Sequence, residues 1–188
     1  METVKYFLTI LVPLVIIMDP LGNLPFYLLF TKSNRPRERK KMALTASASA
    51  CLILVFFGLT GDFVLRFFGI SLPAFQLAGG FIFFIYSLQM LRLIPSGIKS
   101  TEEEEQEGVE KENVALVPLG TPLLAGPGAI TAVLVWQQSS DHSMSLALLL
   151  AAILVAGVAV YLVFFFGEWI LKIMGVGGIR VVTRLMGL

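Results

Sequence analysis

The chain has 188 residues, of which 56% are apolar and only 14% charged, with a mean hydropathy of +0.84. That exceeds the apolar content of soluble domains and falls well short of their charge, the mark of an integral membrane protein. A formal net charge of +1, with the basic residues gathered in one short loop, excludes a nucleic-acid binder, and a single cysteine (Cys51) and single histidine (His142) exclude an internal disulfide and the ordinary His/Cys metal frameworks.

A bilayer core needs about 20 apolar residues in a helix, and the chain offers six candidate segments with no strand-like period. The first apolar run, Tyr6 to Met18, has the length of a signal peptide but is followed by Asp19-Pro20 instead of a small-residue cleavage site, so it reads as mature structure. The first span covers about Val4 to Phe30 and is interrupted by Asp19-Pro20-Leu21-Gly22-Asn23-Leu24-Pro25. Pro20 and Pro25 oppose helix continuity, and a carboxylate at membrane depth needs a reason. The expectation is two half-helices, with Asp19 as N-cap and Pro20 as first residue of the second.

The loop Lys32 to Lys41 carries six cations against Glu38 alone, which makes it cytoplasmic by the positive-inside rule. The second span, about Met42 to Thr60, sets Ala43, Ser47 and Cys51 on one face for close helix contact, and packing is the simplest role for its serines. A turn holding Gly61, Asp62, Arg66 and Gly69 leads to the third span, about Pro73 to Ile94. There Gly79-Gly80 is a close-packing spot, and Gln76 and Gln89 are interior polar candidates. Residues 95–113 form an acidic linker, self-repelling and solvated.

The fourth span, Val114 to about Trp136, holds the second break, with Pro122, Gly126, Pro127 and Gly128. Gly126-Pro127 again reads as cap and first helical residue. The fifth span runs from about Met144 to Phe166, with four-spaced small pairs Ala147/Ala151 and Ala152/Ala156. Gly167 to Leu188 is a glycine-rich turn and the start of a sixth span.

An internal repeat organises these segments. Gly61 to Ile70 matches Gly167 to Val176 at a constant offset, with three identities and five like-for-like exchanges. At one residue more, Asp19-Pro20-Leu21-Gly22 lies over Gly126-Pro127-Gly128-Ala129. Each half (residues 1–94 and 114–188) holds three spans, an odd number, so the second enters the membrane upside down: an inverted repeat. The charge bias then places the N-terminus outside. The repeat also predicts a sixth span reaching past Leu188, so the C-terminus reads as truncated.

Free backbone groups at a break inside the membrane must be buried in protein or line a hydrated cavity. After Pro127, the amides of Gly128, Ala129 and Ile130 form a cradle for a carboxylate, and Gly22 and Asn23 offer the equivalent after Pro20. Asp19 is a cap alone, or a cap that also seats a substrate ammonium or a proton; in the second role it is the proton-coupling candidate. Thr121 and Thr131 present hydroxyls to the site or bond back to their own helix. Asp62 and Glu168 suit caps or gating contacts. No nucleophile or metal partner stands beside these acids, so the expectation is not an enzyme, with no cofactor and no metal.

The stretches MDPLGNLPFYLLFT (18–31), PLLAGPGAITAVLVW (122–136) and RVVTRLMGL (180–188) resemble the MarC family of multi-span membrane proteins, related to the LysE-type exporters. The resemblance covers essentially the whole chain. It implies a six-span inverted-repeat fold in the plasma (inner) membrane and, from members described as small neutral amino-acid transporters, a zwitterionic substrate such as glycine or alanine coupled to protons. Similar proteins continue after RLMG with a full apolar span. The functional expectation is a secondary transporter binding substrate between the two breaks at Asp19, Gly22, Asn23, Gly126, Gly128, Ala129 and Thr131. A passive small-solute channel, or an exporter of another metabolite, is the alternative. The small-residue faces also allow a homo-oligomer.

Overall fold

The computed structural model describes residues 2–32, 34–91, 93, 124–138 and 143–186. The acidic linker 95–113, Thr121, Pro122 and His142 lie outside the described residues. Seven helices appear among the described residues: α1 (Glu2–Met18), α2 (Pro20–Phe30), α3 (Pro36–Phe67), α4 (Leu72–Met90), α5 (Pro127–Gln138), α6 (Ser143–Phe165) and α7 (Gly167–Met186). No strand occurs among them. Thr3–Phe30, Pro36–Phe67 and Leu146–Phe165 are long and apolar enough to cross a bilayer.

The helix starts follow the proline signals. α2, α3 and α5 each begin on a proline, whose missing N–H would have no intrahelical partner in the first turn. In α3 the Glu38 carboxylate also accepts a hydrogen bond from the Arg35 amide at 2.9 Å, which fixes the entry. α3 is longer than the span expected from Met42 to Thr60. It takes in Pro36–Lys41 and continues through Gly61 to Phe67, residues expected to be loop and turn. Arg, Glu and Lys are good helix formers, and nothing in that run breaks a helix once Pro36 has started it. At ~1.5 Å per residue α3 is ~48 Å long, whereas its charge-free stretch from Met42 to Gly61 spans ~30 Å, the thickness of a hydrocarbon core. The stretch between Lys41 and Asp62 is thus long enough by itself to cross a hydrocarbon core, with the charged ends of α3 left over.

α3 stops at a glycine. Gly69 has φ 65°, and the amides of Gly69 and Ile70 return to the carbonyls of Arg66 and Leu65 at 3.1 and 2.9 Å. This is the Schellman pattern, in which a left-handed glycine lets the chain satisfy the last free carbonyls. α7, expected as a glycine-rich turn and the start of a sixth span, is helical over Gly167–Met186 on either side of a non-helical Gly175 (φ 63°, ψ 172°). Four glycines weaken the helix but do not stop it where their backbone angles stay helical.

α6 is the centre of the bundle, packed on α1, α3 and α2, with α5 and α7 also in contact. Its buried residues Leu149, Ala152, Ile153, Ala156, Val160 and Phe164 recur at three- and four-residue intervals, one continuous stripe. Ala152 and Ala156 are fully buried, whereas Ala147 faces outward, so the second of the expected small pairs makes the contact. The stripe meets the small face of α3, where Ala43, Ala46, Ser47 and Ala50 are buried. The Ser47 and Ser49 hydroxyls donate to the carbonyls of Ala43 and Thr45 at 2.9 and 2.7 Å, a packing role. Contact is close enough that Cys51 Sγ lies 3.6 Å from the Ile153 carbonyl, and a Cβ on Gly157 would overlap that sulfur.

α4 packs mainly on α5. Gly79 is buried against the Thr131 methyl, while Gly80 meets nothing, so one glycine of the pair serves packing. Gln76 faces outward, not into the interior as expected, and Gln89 is half-buried. The outer surface carries Leu52, Phe56, Leu77, Phe81 and Leu154, apolar as a lipid-facing surface must be.

The α3–α6 contact is testable. Gly157→Val should destabilise the protein by about 1–3 kcal/mol through overpacking, read as a lower unfolding midpoint in detergent. Adding Cys51→Ala should recover part of that loss, because the colliding sulfur is gone.

Candidate functional site

The first break is built by the backbone and repaired by two side chains. The Asp19 amide still closes the end of α1, reaching the Val15 and Ile16 carbonyls at 3.1 Å. Asp19 then turns to φ 39° and ψ 63°, a left-handed conformation that costs energy for any residue with a Cβ but is tolerated best by Asn and Asp. From there its carboxylate accepts the Gly22 amide at 2.9 Å, capping α2 as expected. A Cβ on Gly22 would collide with that carboxylate, so the glycine is required for the cap to close. Asn23 completes the repair. Its amide N–H donates to the Asp19 carbonyl, and its buried side-chain NH2 donates to the Met18 carbonyl at 3.0 Å, the group that the break would leave without a donor.

Pro25 was expected to break the helix and does not. It lies inside α2, which continues to Phe30. The missing donor costs one intrahelical bond, which the packing of α2 on α6 and α7 offsets.

At the second expected break the described residues begin at Leu124, just before Gly126-Pro127. α5 begins at Pro127, and the Ile130 amide reaches the Gly126 carbonyl at 3.1 Å. Gly126, unlike Asp19, brings no side-chain acceptor to the first-turn amides of Gly128 and Ala129. Gly126, Gly128, Ala129 and Thr131 are all buried, and only Pro127 is exposed. The Thr131 methyl is fixed against Gly79 of α4.

Both breaks are embedded in one continuous buried cluster: Met18 and Leu24 flank the first, Leu124, Ala125 and Ala129 the second. Helix packing distributes them unequally, because α1 and α4 lie on α5 whereas α2 lies on α6 and α7. α1, which ends at the first break, packs on both α5 and α6.

A third constellation escaped sequence reasoning. The Tyr27 ring stacks on Phe164 with centroids 4.5 Å apart and planes 3° from parallel, and its hydroxyl donates to the Arg39 carbonyl at 2.8 Å. Arg39 forms an ion pair with Glu168 at the start of α7. Next to it, the Lys40 ammonium sits 4.5 Å over the Phe165 ring. No motif links residues so far apart in sequence; only the length of α3, which lifts Arg39 to the level of Glu168, brings them together. At the other end of α3, Asp62, expected as a cap or gating residue, pairs with Arg66 of the same helix at 2.8 Å.

The cap makes a stability prediction. Asp19→Asn should leave the unfolding midpoint nearly unchanged, since asparagine keeps an acceptor and tolerates the left-handed backbone. Asp19→Ala should cost about 1–3 kcal/mol, losing the cap at a strained position, and Asp19→Gly should fall between them.

The model of the MarC family of integral membrane proteins matches residues 4–188. The chain is 38% identical over 185 residues to a UPF0056 membrane protein of Methanocaldococcus jannaschii, covering 98% of this chain and 89% of that one. It is 35% identical over 188 residues to one from Pyrococcus abyssi, covering all of this chain and 90% of the relative. It is also 32% identical over 173 residues to the UPF0056 membrane protein YhcE of Escherichia coli, with 92% and 80% covered. No solved structure matches the chain. Apolar helices of membrane-crossing length and family matches over nearly the whole sequence lead to one conclusion: the chain belongs to the MarC family of multi-pass integral membrane proteins.

Proposed function

We propose that the protein is a secondary transporter of small neutral amino acids such as glycine and alanine, proton-coupled, with substrate held between two discontinuous helices. The observation that carries this reading is the asymmetry of the two breaks. One presents the Asp19 carboxylate, matched to an ammonium, and the other, where Gly126 brings no side chain, presents the first turn of α5, matched to a carboxylate. A zwitterion has both groups. The lack of side chains at Gly126 and Gly128 favours a ligand of glycine or alanine size.

Rocking between outward- and inward-facing states calls for two halves related by an inverted repeat, and four reciprocities support that relation. α2 packs on α7 as α4 packs on α5. Gly61 faces Leu134 and Gln137 of α5, and Gly167 faces Leu24 and Leu28 of α2. Gly69 and Gly175, matched in the sequence repeat, share a positive φ of 65° and 63°. The same offset pairs Cys51 with Gly157 and Ser47 with Ile153, and these four meet crosswise: Cys51 at the Ile153 carbonyl, Gly157 near the Ser47 carbonyl. Such crosswise contact is what a two-fold axis between α3 and α6 produces. On this reading the basic turn at Lys32–Lys41 is cytoplasmic, the N-terminus lies outside, and the protein resides in the plasma (inner) membrane.

The test is uptake of labelled alanine or glycine into proteoliposomes under an imposed proton gradient. Asp19→Asn, which keeps the cap, should lower flux roughly 10- to 100-fold through loss of a charge-assisted bond to the ligand. Gly128→Val should abolish flux by filling the amide cradle. Wild-type flux in both variants would rule the site out, and flux that neither saturates nor responds to the proton gradient would identify a passive pore instead.

A further inference from the structure

The Arg39–Glu168 pair joins the first turn of α3 to the first turn of α7, elements 129 residues apart in sequence and in opposite halves of the repeat. It sits at the end of the bundle that carries the basic turn. Several contacts converge on it. The Arg39 carbonyl receives the Tyr27 hydroxyl of α2 at 2.8 Å, and Tyr27 lies flat on Phe164 of α6, both rings only 2% exposed. One turn beyond Phe164, Gly167 admits Leu24 of α2 so closely that a Cβ there would stand 2.6 Å from the Leu24 methyl. α2 and α3 from one half and α6 and α7 from the other are thus clamped at a single level.

The clamp is unevenly built. Its aromatic and glycine contacts are buried and tie α2 to the α6–α7 corner, whereas Glu168 is 75% exposed and Arg39 18% exposed. Water reaches the pair from the Glu168 side. An ion pair in that setting is weak, salt-sensitive and quickly remade, unlike the packed rings beneath it. Those are the properties of a reversible contact rather than of a scaffold.

We propose that the Arg39–Glu168 pair is the latch that holds the basic-turn end of the bundle closed, so that α7 parts from α3 at that end when the pair breaks. The proposal rests on the alternating-access reading for its purpose, but the opening itself needs no substrate. Glu168 acts here as a gating residue and Arg39 as its anchor, whose carbonyl is held by the Tyr27 hydroxyl.

The test places spin labels at exposed Arg37 and Lys172, each changed to cysteine in a Cys51→Ala background, in the full-length chain reconstituted in lipid nanodiscs without amino acid. Electron–electron distance measurements read the separation of α3 and α7. Glu168→Gln and Arg39→Gln should each raise the longer-distance population, changing the open-to-closed ratio roughly two- to five-fold, the range expected of a partly exposed pair. The exchanged pair Arg39→Glu with Glu168→Arg should return the distribution to that of the parent. High salt should open the parent and leave Glu168→Gln unmoved. Because Glu168 is mostly exposed, Glu168→Gln leaves the core intact, and a matching elution profile verifies folding. Unchanged distances in both single variants, or an exchanged pair that stays open, would overturn the proposal. Since no flux is measured, a protein that failed to move amino acids in vesicles would disprove the transport reading while leaving this result standing.

Discussion

Backbone hydrogen bonding at membrane depth is the constraint on which this structure turns. Inside hydrocarbon an unpaired amide or carbonyl costs several kcal/mol, and water is not there to relieve it. A helix interrupted by proline must therefore find other partners for the groups it frees. At the first break they are local: the Asp19 carboxylate takes the Gly22 amide, and the Asn23 side chain gives its NH2 to the Met18 carbonyl. The left-handed turn at Asp19 is the cost of that arrangement. Every residue of the Asp19–Asn23 segment has a role in it except Leu21, which is why the segment reads as such an anomaly in an apolar run.

The second break meets the same constraint differently. Gly126 has no side chain to offer, and Gly126, Gly128 and Ala129 are buried within the bundle. Asp19 before one proline and Gly126 before the other give one polypeptide two different electrostatic faces.

Much of this was legible in the sequence. Pro20 and Pro127 mark their helix starts because proline at a first helical position leaves no donor unpaired, and Asp19 announces a cap because aspartate is a short acceptor beside free amides. The small face Ala43, Ser47, Cys51 identifies the α3 contact. What the sequence hid depends on distance and on context. Pro25 carries the same local signal as Pro20 yet ends nothing, because tertiary packing holds the helix across it. The charged residues Arg37 to Lys41 look like loop and are helix, since charge reports solvation and not backbone conformation. The Tyr27, Arg39, Phe164 and Glu168 group could not be found by spacing, because its members meet only through the lengths and tilts of four helices.

The crosswise meeting of Cys51 and Gly157 bears on how such a molecule came about. Taken as a duplicated unit, the two halves began with the same residue at this position, facing its own copy across the axis. Two cysteines would collide there, and two glycines would leave the sulfur's volume empty, a cavity that costs stability in proportion to its size. A large residue on one side and none on the other fills the space once. On that reading, the asymmetry at this contact fits each half to the other and not to a second copy of itself.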